Sequence, residues 1–200
     1  MADNYEKLIH DNLDRFYQNL PEDLSLILSG DREGDTFIFK AFGEECRVRP
    51  EGIHLGGSEE TGAMGILISL SILNITPEPS ILQPLKAFKD FEGSMPYIGA
   101  FSSHTEKILI PYVAKVEESQ NHIIECMQGK DAFQIAGGDF SFFLRPLPKI
   151  TLCYIFYHAD EDFSVSAVCL FSKNADKFLS LDALADVGEY TSKKIIQILS

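Results

Sequence analysis

The sequence predicts an α+β fold: an antiparallel sheet, made of an N-terminal hairpin plus a C-terminal meander, packed with helices. Three observations carry this. The N-terminal part places apolar residues at helical spacing on both sides of one β-prone hairpin. The last third holds four β-prone runs joined by short connections, and short connections pair strands antiparallel. The end of the chain then returns to helical period. A length of 200 residues fits a single domain, 1–200, and no internal repeat or low-complexity linker divides it.

Tyr5, Leu8, Ile9, Leu13, Phe16, Tyr17 and Leu20 define the first helix, with Asp3 as its cap. Pro21 stops it and opens a second, with Glu22 and Asp23 in the first turn and Leu24, Ile27 and Leu28 on its apolar face. Residues 36–42 (TFIFKAF) and 45–49 (ECRVR) form a hairpin about Gly43-Glu44, extended by Ile53 and Leu55 before Gly56-Gly57. Ser58 caps a core helix running to Leu73, apolar on nearly all sides. Pro77, Pro79 and Pro84 then forbid regular structure.

Residues 85–101 (LKAFKDFEGSMPYIGAF) read as a structured aromatic loop. The Ser103-x-x-Glu106 spacing is that of a capping box, and a helix follows through Ile108, Leu109, Tyr112, Val113 and Val116, kinked or begun at Pro111. A short helix spans 121–128. Strands are expected over 131–136, 140–146, 150–157 and 165–172, with a tight turn at Gly137-Gly138-Asp139. Leu181, Leu184, Ala185, Gly188, Ile195 and Leu199 suit a terminal helix packed on the sheet, which the helices cover mainly on one face.

Composition excludes several functions. Lys and Arg number 17 against 30 Asp and Glu, a net charge of −13. With no basic stripe to offset it, such a surface repels nucleic acid and anionic membranes; the same charge keeps a protein soluble. The four cysteines form no C-x-x-C pair and sit in apolar or mixed segments, which argues for buried thiols in a reducing cytoplasm and against a disulfide framework or an iron–sulfur cluster. The start, MADNYEKLIHDNLDRF, has no apolar signal core, and the most apolar stretch, 63–73, is too short to span a bilayer. A cytoplasmic location is therefore expected.

No phosphate-binding glycine loop and no G-x-S-x-G elbow is present, and no two of the five histidines are spaced for zinc. No cofactor is expected. Three features remain. His158, Asp160, Glu161 and Asp162 gather one imidazole and three carboxylates, which suit either a divalent cation or the solvated end of a hairpin. Arg145 interrupts the apolar run FFLRPLP. If buried it needs a carboxylate such as Asp160, Glu161 or Asp182; otherwise it points outward at a sheet edge, where Pro146 and Pro148 also belong. Phe88, Phe91, Tyr97 and Phe101 either line a binding loop or peg that loop to the core.

Through Arg145, Leu147-Pro148-Lys149, Asp160-Glu161-Asp162-Phe163 and Leu170-Phe171, and again through Phe88, Gly93, Tyr97 and Phe101, the chain resembles the uncharacterised prokaryotic family catalogued as domain of unknown function 3786. It departs from that family's pattern at Ser172 and at Leu181-Asp182-Ala183-Leu184, and it has no Trp. The resemblance implies a setting in anaerobic bacteria and archaea, and, by analogy with members joined to an iron–sulfur module, a redox context. It implies no activity.

The expectation is a non-catalytic binding or accessory protein with a protein or small-molecule partner. Its candidate binding residues are Phe88, Tyr97, Phe101, Arg145, His158, Asp160, Glu161 and Asp162. The alternative is a metal-dependent enzyme using the acids at 160–162 with His158.

Overall fold

A computed structural model describes residues 2–20 and 24–200. Pro21, Glu22 and Asp23, expected to open the second helix, lie outside the described residues. Helix α1 (Ala2–Gln18) turns Ile9, Leu13 and Phe16 inward. It begins at Ala2, so Asp3 lies within the helix rather than capping it. Helix α2 (Leu24–Leu28) buries Leu24 and Leu28.

The expected hairpin is the centre of a larger, five-stranded antiparallel sheet. Its strands follow sequence order: β1 (Asp31–Glu33), β2 (Thr36–Ala41), β3 (Glu44–Arg49), β4 (Gly52–Leu55) and β5 (Ser58–Glu59). Phe37 faces Val48 and Phe39 faces Cys46, while Val48 and Cys46 also face Ile53 and Leu55, so one face is apolar. Phe16 of α1 meets Phe37 edge-on, with ring centroids 5.7 Å apart. Between β2 and β3, Phe42 and Gly43 both take positive φ (48° and 80°), a two-residue turn that matches strand twist.

A second such turn corrects the expected start of the core helix. Gly56 and Gly57, also at positive φ, fold the chain back so that Ser58 and Glu59 pair with β4. Ser58 therefore caps nothing. Helix α3 (Ala63–Leu73) starts after Gly62, whose N–H is taken by the Glu60 carboxylate at 2.8 Å. As its all-round apolarity predicts, α3 is a core helix. Its buried Ser69 and Ser71 hydroxyls donate to carbonyls three residues back.

The aromatic loop holds a short strand β6 (Lys86–Ala87), a 3₁₀ turn (Phe88–Asp90) and α4 (Ile98–Phe101). Helical structure runs on through a π-helical turn (Ser102–Glu106) and a 3₁₀ segment (Lys107–Tyr112) that accommodates Pro111. Ser103 lies inside this run and makes no capping box. Helices α5 (Val113–Glu118) and α6 (Gln120–Cys126) follow.

The second sheet comprises β7 (Lys130–Asp131), β8 (Phe140–Leu147), β9 (Ile150–Tyr157) and β10 (Ser166–Phe171) with β6, in the antiparallel order β6-β10-β9-β8-β7. The strand expected over 131–136 stops after two residues. The Asp131 carboxylate accepts the Phe133 N–H at 3.1 Å and starts a helical turn, α7 (Phe133–Ala136), in place of the ladder. Helix α8 (Leu181–Ile198) closes the fold, and the hydroxyl of the fully buried Tyr154 meets Ser192 of α8 at 2.9 Å.

One continuous core takes in side chains from both sheets and from α1, α3 and α8. A backbone bond also joins the sheets: Phe42 N–H donates to the Pro146 carbonyl at 2.7 Å. The second sheet differs from the one-sided cover expected. Phe142, Leu152, Tyr154 and Phe156 face the main core, and Phe143, Cys153 and Ile155 form a smaller core on the other face, under Leu82 and Leu85. The cover is the proline-rich strap, residues 76–85, and α7. Among the described residues no helix is long and apolar enough to cross a membrane.

Gly188 marks a close helix crossing in this core. A β-carbon there would lie 2.8 Å from the Phe101 ring and 2.9 Å from Thr105 Oγ1. We expect Gly188→Ala to lower unfolding free energy by about 1–3 kcal/mol. Gly99→Ala, which meets nothing within 4 Å, will be neutral or stabilising. Chemical denaturation of the two variants checks both; an unperturbed Gly188→Ala would contradict the crossing.

Candidate functional site

The aromatic residues of the loop separate by burial. Phe88 and Phe101 are 3% and 4% exposed and stack at 4.4 Å, with Phe91 and Phe171 around them. They peg the loop to the core. Tyr97, 37% exposed, lies at a shallow depression shared with Asp182, Asp186 and Glu189 of α8. Burial, with Glu189 and Asp182 nearby, raises the Asp186 carboxyl above its ordinary range.

The polar residues after β9 form a turn. Asp160 Oδ1 accepts the N–H groups of Asp162 and Phe163 at 2.9 and 2.7 Å, and Asp160 N–H donates to the Phe163 carbonyl. His158 turns the other way, its Nε2 3.3 Å from Glu117, and its N–H donates to Asp139. Asp160, Glu161 and Asp162 are all exposed. Among the described residues no group of three or more His, Cys, Asp or Glu side chains is placed to hold a metal ion. The metal reading of 158–162 thus lacks a convergent ligand set.

Arg145 sits where β8 is irregular. The ladder with β9 is regular from Phe140 to Leu144, breaks, and resumes with Leu147 opposite Ile150. Pro146 has no N–H to donate, so a bulge is where a proline fits inside a strand. The bulge turns the Pro146 carbonyl toward Phe42 and the Arg145 N–H toward the Met127 carbonyl at 3.2 Å. Arg145 is exposed. Among the described residues its guanidinium has no carboxylate partner, so Asp160, Glu161 and Asp182 do not serve it.

Arg145 instead lines a cleft of about 210 Å³ on the outer face of the second sheet. Phe143, two residues earlier on β8, forms part of its wall, with Leu144, Pro148 and Thr151 beside them. The end of α6 supplies Gln128 and Gly129, and β7 supplies Lys130, whose Nζ lies 5.5 Å from the Phe143 ring centroid. Ser80 and Leu82 of the strap form the remaining wall. Lys130 and Arg145 are both cations, no lining residue is acidic, and among the described residues neither cation has an ion-pair partner.

The strap is fixed at its base. Lys149 Nζ donates to the Glu78 carbonyl at 2.9 Å and Lys177 pairs with the Glu78 carboxylate. The buried Asn174 side chain donates to the Pro79 carbonyl and accepts the Ile81 N–H, at 3.0 and 2.8 Å.

Arg145 was visible in the sequence as an oddity in an apolar strand. Ser80, Gln128, Lys130 and Thr151 carried no signal, because they come from separate segments and only the fold gathers them. A further polar contact lies on the open edge of β10. Strand β6 pairs only with Leu170 and Phe171, and the Cys169 N–H donates instead to Glu106 Oε1 at 3.1 Å. Burial raises the Glu106 carboxyl above its ordinary 4.5, partly opposed by that hydrogen bond. Burial likewise raises the Cys153 thiol to about 12 and raises the Cys46 and Cys169 thiols above their ordinary range. Cys126 is less buried, its Sγ 3.7 Å from His122 Nε2.

The family model described as Domain of unknown function (DUF3786) matches residues 20–194. No curated protein and no solved structure matches.

Three outcomes are expected. Asp160→Ala will lower stability by about 1 kcal/mol and Asp160→Asn by less, because only the latter keeps an acceptor for the turn. Adding Mg²⁺, Mn²⁺ or Ca²⁺ will leave the wild-type melting temperature unchanged; a rise abolished by Asp160→Asn would restore the metal reading. Glu106, with a raised folded pKa, stabilises most when protonated, and that contribution is lost as pH rises through the folded value. Glu106→Gln will therefore remove the stability that this carboxyl gains as pH falls from neutral toward 4.5, read as denaturation midpoints across that range.

Proposed function

We propose that this chain, which belongs to the DUF3786 family, is a non-catalytic binding protein whose cleft beside Arg145 holds a small organic anion. One observation carries the reading. In a chain of net charge −13, two cations without ion-pair partners among the described residues line one cleft, and no carboxylate joins them.

Cations left unpaired in a carboxylate-rich surface are costly to keep together, since each repels the other and each could gain a partner. An anion that enters the cleft relieves that repulsion. The charge-assisted bonds it makes contribute about 1.5–3 kcal/mol each. The field of the remaining carboxylates does not override this at close range, because screening limits them to about 8 Å at physiological salt. The cleft volume, about 210 Å³, is below the ~300 Å³ at which drug-sized ligands begin to fit. The ligand is therefore small. No histidine or carboxylate stands among the lining residues to activate the Ser80 or Thr151 hydroxyl, which favours binding over catalysis.

Titration with a panel of small carboxylates and phosphates, followed by NMR or thermal shift, tests this. Arg145→Ala should weaken binding about 10- to 100-fold, and Lys130→Ala less, since a lysine acts as a point charge rather than a fork. Both side chains are exposed, so both variants will fold. Binding will weaken as salt rises. Tyr97→Ala will leave affinity unchanged. An Arg145→Ala protein that binds like wild type, or loss of binding in Tyr97→Ala alone, would move the site to the α4–α8 depression.

A further inference from the structure

Resting on that anion-binding reading, we infer that the ligand is a monocarboxylate with a short apolar tail, rather than a phosphate. The cleft lining is mixed. Arg145 and Lys130 supply charge, with the Thr151 hydroxyl. Leu82 is partly exposed there, and the buried Phe143 ring lies beneath Lys130, whose Nζ is 5.5 Å from its centroid.

Compact phosphates are usually held by several converging backbone N–H groups, at a helix start or in a concave turn. Two backbone N–H groups of this lining are already committed. The Gly129 N–H already donates to the Ile124 carbonyl at 2.7 Å, and the Arg145 N–H to Met127 at 3.2 Å. Lys130 is paired with Phe143 in the ladder. Proline at 148 has no N–H to give. An anion here relies on side-chain donors, and the planar fork of Arg145 meets the two oxygens of a carboxylate in parallel.

Shape agrees with this. Inorganic phosphate has no apolar part, so the partly exposed Leu82 would stay wet around it. A carboxylate with an alkyl tail covers that surface, and each methylene so buried tightens binding about fourfold. The Phe143 ring, with Lys130 Nζ 5.5 Å from its centroid, serves both parts of such a ligand.

The test is a homologous series. Acetate, propionate, butyrate and isovalerate are titrated into the full chain at low salt, with inorganic phosphate and 1-butanol as comparisons. The dissociation constant should fall about fourfold per added methylene until the cleft is full, reaching on the order of a millimolar or tighter for the longer acids. Phosphate and butanol should both bind more weakly than butyrate. Arg145→Lys, which keeps the charge and removes the fork, should weaken butyrate about tenfold. A flat series with phosphate as the tightest anion would overturn the carboxylate assignment while leaving an anion site at Arg145. Binding by none of these anions would overturn both.

Discussion

An irregularity in β8 adds a backbone tie between two sheets that share one core, and it forms one border of the cleft. Pro146 cannot donate a ladder hydrogen bond, so the β8–β9 pairing breaks between Leu144 and Leu147. The freed Pro146 carbonyl takes the Phe42 N–H from the first sheet, and the Arg145 N–H takes the carbonyl that ends α6. Three elements are thus tied to one point. Phe42 sits at positive φ, unusual for a bulky residue, and is 1% exposed; its hydrogen bond and its burial in the shared core hold it there.

The strap explains why a cleft exists at all. Strand β9 is buried on both faces, with Leu152, Tyr154 and Phe156 toward the helices and Cys153 and Ile155 away from them. Its outer face needs a cover, and three prolines keep residues 76–85 from forming a regular element that would cover it completely. Leu82 and Leu85 cover the centre of that face. Toward the Arg145 end the cover stops, and the gap between the strap, α6 and the bulge is the cleft.

Much of this was readable in the sequence. The α+β class, the terminal helix, the turn at Gly43, and strands 140–146, 150–157 and 165–172 followed from period and turn chemistry, and the family model matches residues 20–194. Three errors have a common cause: a local side chain or glycine turn overrode the period. Gly56-Gly57 drew Ser58 into a hairpin, Asp131 started a helical turn within an expected strand, and the helix through Ser103 began upstream, anchored by Phe101 on Phe88. The two-sided burial of the second sheet did have a signal. The runs SFFL and LCYIF are continuously apolar, where a sheet with one wet face alternates. The cleft had almost none, since its partners lie in four segments and only the register of β7, β8 and β9 unites them.

The most direct test of the account is a map of backbone amide shifts in isotope-labelled protein titrated with butyrate at low salt. The account predicts saturable shifts at residues 80–82, 128–130 and 143–151, with the loop at 97–101 and the helix face at 182–189 unmoved. Shifts centred on Tyr97 and Asp186, or none at any concentration, would contradict it.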